Sequence, residues 1–270
     1  MVGVGTSTYP RRRFVRGEWA SKVNRPALAA VVREAGLVAL LYALWIFAAR
    51  LSVLGIDDAI SRAEWIVGFQ ESLFLPSELT LQNWVRQSSF WTQAANLYYA
   101  GVHVPIMGVL LIWLFARHRD AYPAWRNTLA LTTGASLLLQ LIPVAPPRLT
   151  PSTGLVDTGL EYGQSLYAAL GYDDAGQFQA MPSIHVAWAA LIGWAVWRVS
   201  KSRWRWVGPA HLAITVLVVT VTGHHFWLDG IVACIVLVVA RPLGVAIAGW
   251  SDRDTVEPEE PLPEAMSTIS

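Results

Sequence analysis

The 270 residues are 54% hydrophobic and 14% charged, with a formal net charge of +1, whereas a soluble domain carries about 25% charged residues. That much apolar surface excludes a core surrounded only by water and fits a chain whose excess is covered by lipid; the near-zero net charge gives no general footing for nucleic acid, which is not expected as a partner. The single cysteine, Cys234, excludes an internal disulfide and a cysteine metal cluster and reads as a packing or lipid-facing residue.

In chain order, residues 1–26 form a basic tail with Arg11, Arg12, Arg13, Arg16, Lys22 and Arg25. The region 27–250 holds six apolar stretches long enough to be read as membrane spans. They run from about Leu28 to Leu54, Leu97 to Ala116, Thr128 to Val144, Ile184 to Val199, Val207 to Thr222, and Trp227 to Trp250. A signal peptide ending near Ala48-Ala49 is the alternative for the first stretch, although its basic leader is long for one. Fourteen tryptophans suit a chain with two membrane–water boundaries. Residues 251–270 are acidic and Pro-rich and read as a disordered cytoplasmic tail.

With the N-terminus in the cytoplasm, only Arg50, Arg62, Arg86 and Arg148 of the 20 Lys and Arg fall outside. The bias predicts a multi-pass cell-membrane protein with both termini cytoplasmic. Between the first two spans, Asp58–Gln93 is then extracytoplasmic. Trp65, Ile66, Phe69, Leu73 and Phe74 recur at helical spacing among polar residues, which predicts an amphipathic helix on the membrane surface. Pro76 breaks it, and Ser77 with Thr80 predicts the start of a second helix through Trp84. This segment is either a structural brace or a wall that guides a lipid. The expected fold class is therefore all-α: a six-helix membrane bundle with an extracytoplasmic interfacial helix.

Ionisable residues at membrane boundaries are costly and mark function. Three clusters fall at outer ends of spans: Ala145-Pro146-Pro147-Arg148-Leu149, Met181-Pro182-Ser183-Ile184-His185, and Gly223-His224-His225-Phe226-Trp227-Leu228-Asp229. All three share one face under a topology derived from charge alone. The residue types suit phosphoryl transfer. Arginine presents a planar fork to phosphate oxygens, and a serine at a helix start adds a hydroxyl and free amides. Histidine serves as nucleophile or proton donor near neutral pH. His225 and Asp229, four apart, share a helix face, so the carboxylate can fix the imidazole tautomer. Nothing in these clusters calls for a metal or another cofactor. Taken singly, each has another reading: a turn with a snorkelling arginine, a common Ser-x-His, or a histidine pair that is a satisfied interface residue or two ligands of a metal.

At these residues the chain resembles the type-2 phosphatidic acid phosphatase superfamily. Pro182-Ser183-Ile184-His185 is similar to its Pro-Ser-Gly-His motif, with isoleucine for glycine, and His225 and Asp229 match the end of its third motif. Arg148 alone represents the first. Leu141 stands where the family has a lysine, and Val218-Val219 where it has Ser-Arg. These departures resemble the inositol phosphorylceramide synthase-like branch, as do Asn96, Tyr99 and His103-Val104-Pro105. The resemblance covers roughly Ala59 to Ala248.

It implies that His225 attacks phosphorus, that Asp229 orients and stabilises it, and that His185 protonates the leaving oxygen. Ser183 and Arg148 would hold phosphate oxygens. His224 and His103 are secondary candidates for the site, while His118 and His211 lie towards the cytoplasmic side and are expected to take no part. The implied substrate is a lipid phosphate or polyprenyl (pyro)phosphate, with either water or an alcohol as acceptor. A non-catalytic membrane protein would instead scatter polar residues at mid-membrane depth.

Overall fold

In a computed structural model of the chain, the described residues are 56–165, 168 and 177–253, with isolated helical residues between 32 and 47. The chain divides into two compact units, Met1–Leu40 and Leu41–Ser270. Of the first unit, Val32, Gly36, Ala39 and Leu40 are described, as exposed helical residues. All that follows concerns the second. The expected first span and the two tails lie largely outside the described residues.

Among the described residues there are nine α-helices and no strand, only an isolated parallel bridge between Val144 and Gln179. They are α1 (Ile56–Ser72), α2 (Glu78–Arg86), α3 (Ser89–Gly101), α4 (His103–Arg117), α5 (Tyr122–Leu139), the single turn α6 (Thr158–Glu161), α7 (Ile184–Val199), α8 (Val207–Val221) and α9 (Trp227–Arg253). Two stretches are long and apolar enough to cross a membrane: Arg203–Val221, which is α8 with the turn before it, and Trp227–Trp250 of α9. The pair α3 and α4 passes the same test when taken together, bent by 51° at Val102. α7 is apolar but shorter.

The sequence expectation of one straight span from Leu97 misses that bend. Gly101 and Pro105 flank it, and Pro105, which has no N–H to donate to the residue four before it, accounts for the break. The third expected span, Thr128–Val144, is displaced: α5 starts earlier, with Pro123 in its first turn, and stops at Leu139 with Gln140 as its cap. The polar run Trp125-Arg126-Asn127 hides this start from a count of apolar residues. Arg241, in the second half of α9, is accommodated inside the bundle. Its guanidinium lies 3.9 Å from the Trp125 ring centre and donates to Thr128 Oγ1 at 3.4 Å.

Three buried clusters organise the packing. Met107, Leu110, Leu114, Trp125, Leu191, Ala195 and Leu237 join α4, α5, α7 and α9. Tyr99, Val186, Val218, Val219 and Ala233 join α3, α7, α8 and α9. The third cluster lies under loops: Ala59, Ala63 and Ile66 of α1 pack against Val144, Ala145, Phe178, Ala180 and Phe226.

The Asp58–Gln93 segment is helical as expected. α1 runs to Ser72, and Ser77 caps α2 by accepting from the Thr80 N–H. One face of α1 braces the loops: Arg62 Nη1 donates to Pro143 O at 2.8 Å, and Gln70 Oε1 accepts from Leu228 N–H at 2.9 Å. The other face is aromatic and exposed. Trp65 stacks on Phe69 at 5.2 Å, and Phe74, 94% exposed, sits at the following turn.

α7 and α8 pack almost backbone to backbone. A Cβ added at Gly208 would lie 2.9 Å from Gly193 Cα and 3.1 Å from Gly193 O. Close approach of this kind holds helices together where the hydrophobic effect between them is weak. Gly208→Val is expected to force the pair apart at a cost of about 1–3 kcal/mol. Thermal unfolding of the purified protein checks this, since each kcal/mol lowers the midpoint by about 2–4 °C in a chain of this size.

Candidate active site

The three sequence clusters converge on one end of the bundle, tied together by backbone hydrogen bonds. Val144 N–H donates to Phe178 O at 2.9 Å and Ala180 N–H returns to Val144 O at 3.2 Å. Arg148 N–H donates to Gly223 O at 2.9 Å, and Ser183 N–H to Asp229 O at 3.2 Å. The loop after α5, the start of α7 and the α8–α9 turn thus form one body. Gly223 takes the left-handed conformation at φ 69°, and a Cβ there would lie 2.9 Å from Arg148 Cβ. Only glycine permits both the turn and the approach.

His225 lies in that turn and Asp229 in the first turn of α9. Asp229 Oδ2 accepts from Phe226 N–H at 2.9 Å and meets His225 Nδ1 at 3.3 Å. Ala180 O is a second partner of His225 Nδ1, at 2.8 Å. Both partners are acceptors, so Nδ1 carries the proton and the lone pair is left on Nε2. Asp229 is completely buried. A buried carboxylate without a paired cation is costly, so its charge is best balanced when His225 becomes cationic.

His185, in the first turn of α7, faces His225 with ring centres 5.7 Å apart. Ser183 caps α7: its buried Oγ accepts from Val186 N–H at 3.3 Å. Tyr99 of α3 packs on two histidines, with ring centres 4.5 Å from His185 and 3.7 Å from His224. His224 Nδ1 meets Thr222 Oγ1 at 2.9 Å. Burial first, then the Arg148 guanidinium, then His225 and His185 hold the His224 imidazole well below its ordinary pKa, so it stays neutral. His103 of α4 completes the wall, 4.6 Å from His185 between ring centres.

All seven sequence candidates therefore meet in one region. Arg148 is also held from a side the sequence did not reveal: Nε donates to Asp157 Oδ2 at 2.8 Å and Nη2 to Gln177 Oε1. His211, expected to take no part, lies 6.1 Å from His103 between ring centres, and its Nδ1 meets Tyr98 OH at 2.6 Å. His118 packs instead on Trp113.

Residues 64–243 match the family model for the PAP2 superfamily. The chain belongs to the PAP2 superfamily. The match contains every candidate residue, from His103 to Asp229. No curated protein and no solved structure matches the chain. PAP2 superfamily membership, with apolar helices able to cross a membrane, gives a membrane protein of phosphatase or phosphotransferase chemistry on lipid phosphates in general.

Proposed function

We propose that this PAP2 superfamily protein is an integral membrane lipid phosphatase that works through a phosphohistidine on His225 at the extracytoplasmic face. Its substrate is a lipid phosphate or a polyprenyl (pyro)phosphate. One observation carries the reading: His185 and His225, 40 positions apart, face each other at 5.7 Å while Asp229 meets His225 Nδ1.

The steps follow from the groups present. His225 Nε2 attacks phosphorus, and the P–N bond forms as the bond to the lipid oxygen breaks. His185, protonated, gives its proton to that oxygen. Asp229 balances the charge on the phosphorylated imidazole. Arg148 and the Ser183 region hold the phosphate oxygens. Water then loses a proton to His185 as its oxygen bonds phosphorus and the P–N bond breaks, which restores both histidines. No step calls for a metal ion, so activity is expected to survive EDTA.

We further propose that six spans, with both termini cytoplasmic, carry this site at the outer rim. α1 lies on the membrane surface with Trp65, Phe69 and Phe74 towards lipid, and its opposite face braces the site. The separation of charges along the chain supports this topology.

A second reading has a specific observation in its favour. Tyr99 and His103, which resemble the inositol phosphorylceramide synthase-like branch, flank His185 at 4.5 and 4.6 Å. In that reading the same phosphohistidine passes a phosphate head group, such as inositol phosphate, to a lipid or sugar alcohol in place of water.

Incubating the purified protein with a panel of phospholipids and prenyl phosphates, with and without inositol and other alcohols, separates the two. Free phosphate marks the hydrolase and a new lipid species the transferase. Neither product with any donor, in protein that is folded and lipid-supplied, would remove both.

A further inference from the structure

Asp157 is a charged contact of Arg148 that the reaction described above does not use. The pair is deeply placed: the Arg148 side chain is 1% exposed and that of Asp157 14%, with Nε and Oδ2 2.8 Å apart. The other carboxylate oxygen caps α6 by accepting from Leu160 N–H at 2.9 Å. Both neighbours of Asp157 are clamped by buried amide side chains, each through its donor and its acceptor. Gln82 of α2 donates to Val156 O at 3.0 Å and accepts from Val156 N–H at 2.8 Å. Asn96 of α3 donates to Thr158 O at 3.0 Å and accepts from Thr158 Oγ1 at 2.8 Å. Gln82 Nε2 also donates to Val221 O at 3.0 Å, at the end of the helix that leads into His224 and His225.

A surface loop does not need two reciprocal amide clamps to hold one acidic residue. Their effect is to fix a carboxylate against a guanidinium close enough to His224 to act on its charge. Charges held this close inside a protein interact far more strongly than in water. When phosphate oxygens approach Arg148, they meet a cation already paired with a carboxylate.

We propose that Asp157 is a positioning residue for Arg148 that also sets an upper limit on how tightly the site holds phosphate oxygens. It aims the fork while the site is empty and weakens retention of the dianionic phosphate left after the P–N bond breaks. The proposal rests on the reading that Arg148 binds phosphate.

Orthovanadate binding to the purified protein in nanodiscs, followed by calorimetry, tests both layers. Asp157→Asn keeps an oxygen to cap α6 and removes the charge. It is expected to bind vanadate about tenfold more tightly, a conservative figure for one buried charge nearby. Asp157→Ser, which also retains a capping oxygen, is expected to show a gain of the same sign, and Asp157→Glu to stay near the parent. A merely structural role gives no gain of affinity. If neither Asp157→Asn nor Asp157→Ser gains, the proposal is overturned. If Arg148→Ala retains the parent affinity, the reading of Arg148 beneath it fails instead.

Discussion

Replacing His225 with alanine is expected to lower turnover by about 10⁴-fold or more, the scale on which loss of a nucleophile acts, and to leave no trapped phosphoenzyme. The side chain's Nδ1 meets two acceptors at once, Ala180 O at 2.8 Å and Asp229 Oδ2 at 3.3 Å, which leaves the lone pair on Nε2. His224 is no substitute, because its ring is stacked on Tyr99 and its Nδ1 meets Thr222. A labelled lipid phosphate, quenched in alkali where phosphohistidine survives, gives the readout. Full activity in His225→Ala would end the nucleophile assignment. The variant should remain folded, since the turn is held by the backbone N–H groups of residues 224 and 225, which both donate to Val219 O.

Asp229→Ala is expected to lower the rate by about 10²–10⁴-fold, as removal of the orienting carboxylate does in comparable constellations. The loss has two parts: the imidazole is no longer held by Asp229 Oδ2, and the charge that stabilises the phosphorylated ring is gone. Asp229→Asn keeps an oxygen for Phe226 N–H and so preserves the turn, which isolates the charge. Its rate is expected to lie between the parent and Asp229→Ala. Stopped-time phosphoenzyme formation distinguishes the cause, since a lost orienting group slows the first step while substrate affinity is little changed. A parent-like rate in both variants would show that the buried carboxylate is structural.

The helices were legible wherever apolar length and punctuation agreed. Ile184–Val199 is α7 to the residue, and Ser77 caps α2 after the break at Pro76. Apolar length alone failed at Val102, where the sequence remains hydrophobic through a 51° bend. It failed again at α5, where the first turns are polar because they pack on α9 rather than on lipid. The site was legible where two groups share a helix turn, as His225 and Asp229 do. It was illegible where contacts cross long stretches of chain. Gln82 on Val156 and Ala180 O on His225, 74 and 45 positions apart, leave no local spacing to read. His211 lies nearer the site than its place along α8 suggests, 6.1 Å from His103 between ring centres.

The hydrogen bond from Ser183 N–H to Asp229 O has a consequence for biosynthesis. The start of α7 takes its final anchorage from a residue 46 positions later, at the head of the last helix. A chain that has folded α7 and α8 before α9 is in place lacks both the carboxylate beside His225 and the tether on the serine turn, so the three clusters close into one body only when the head of α9 docks.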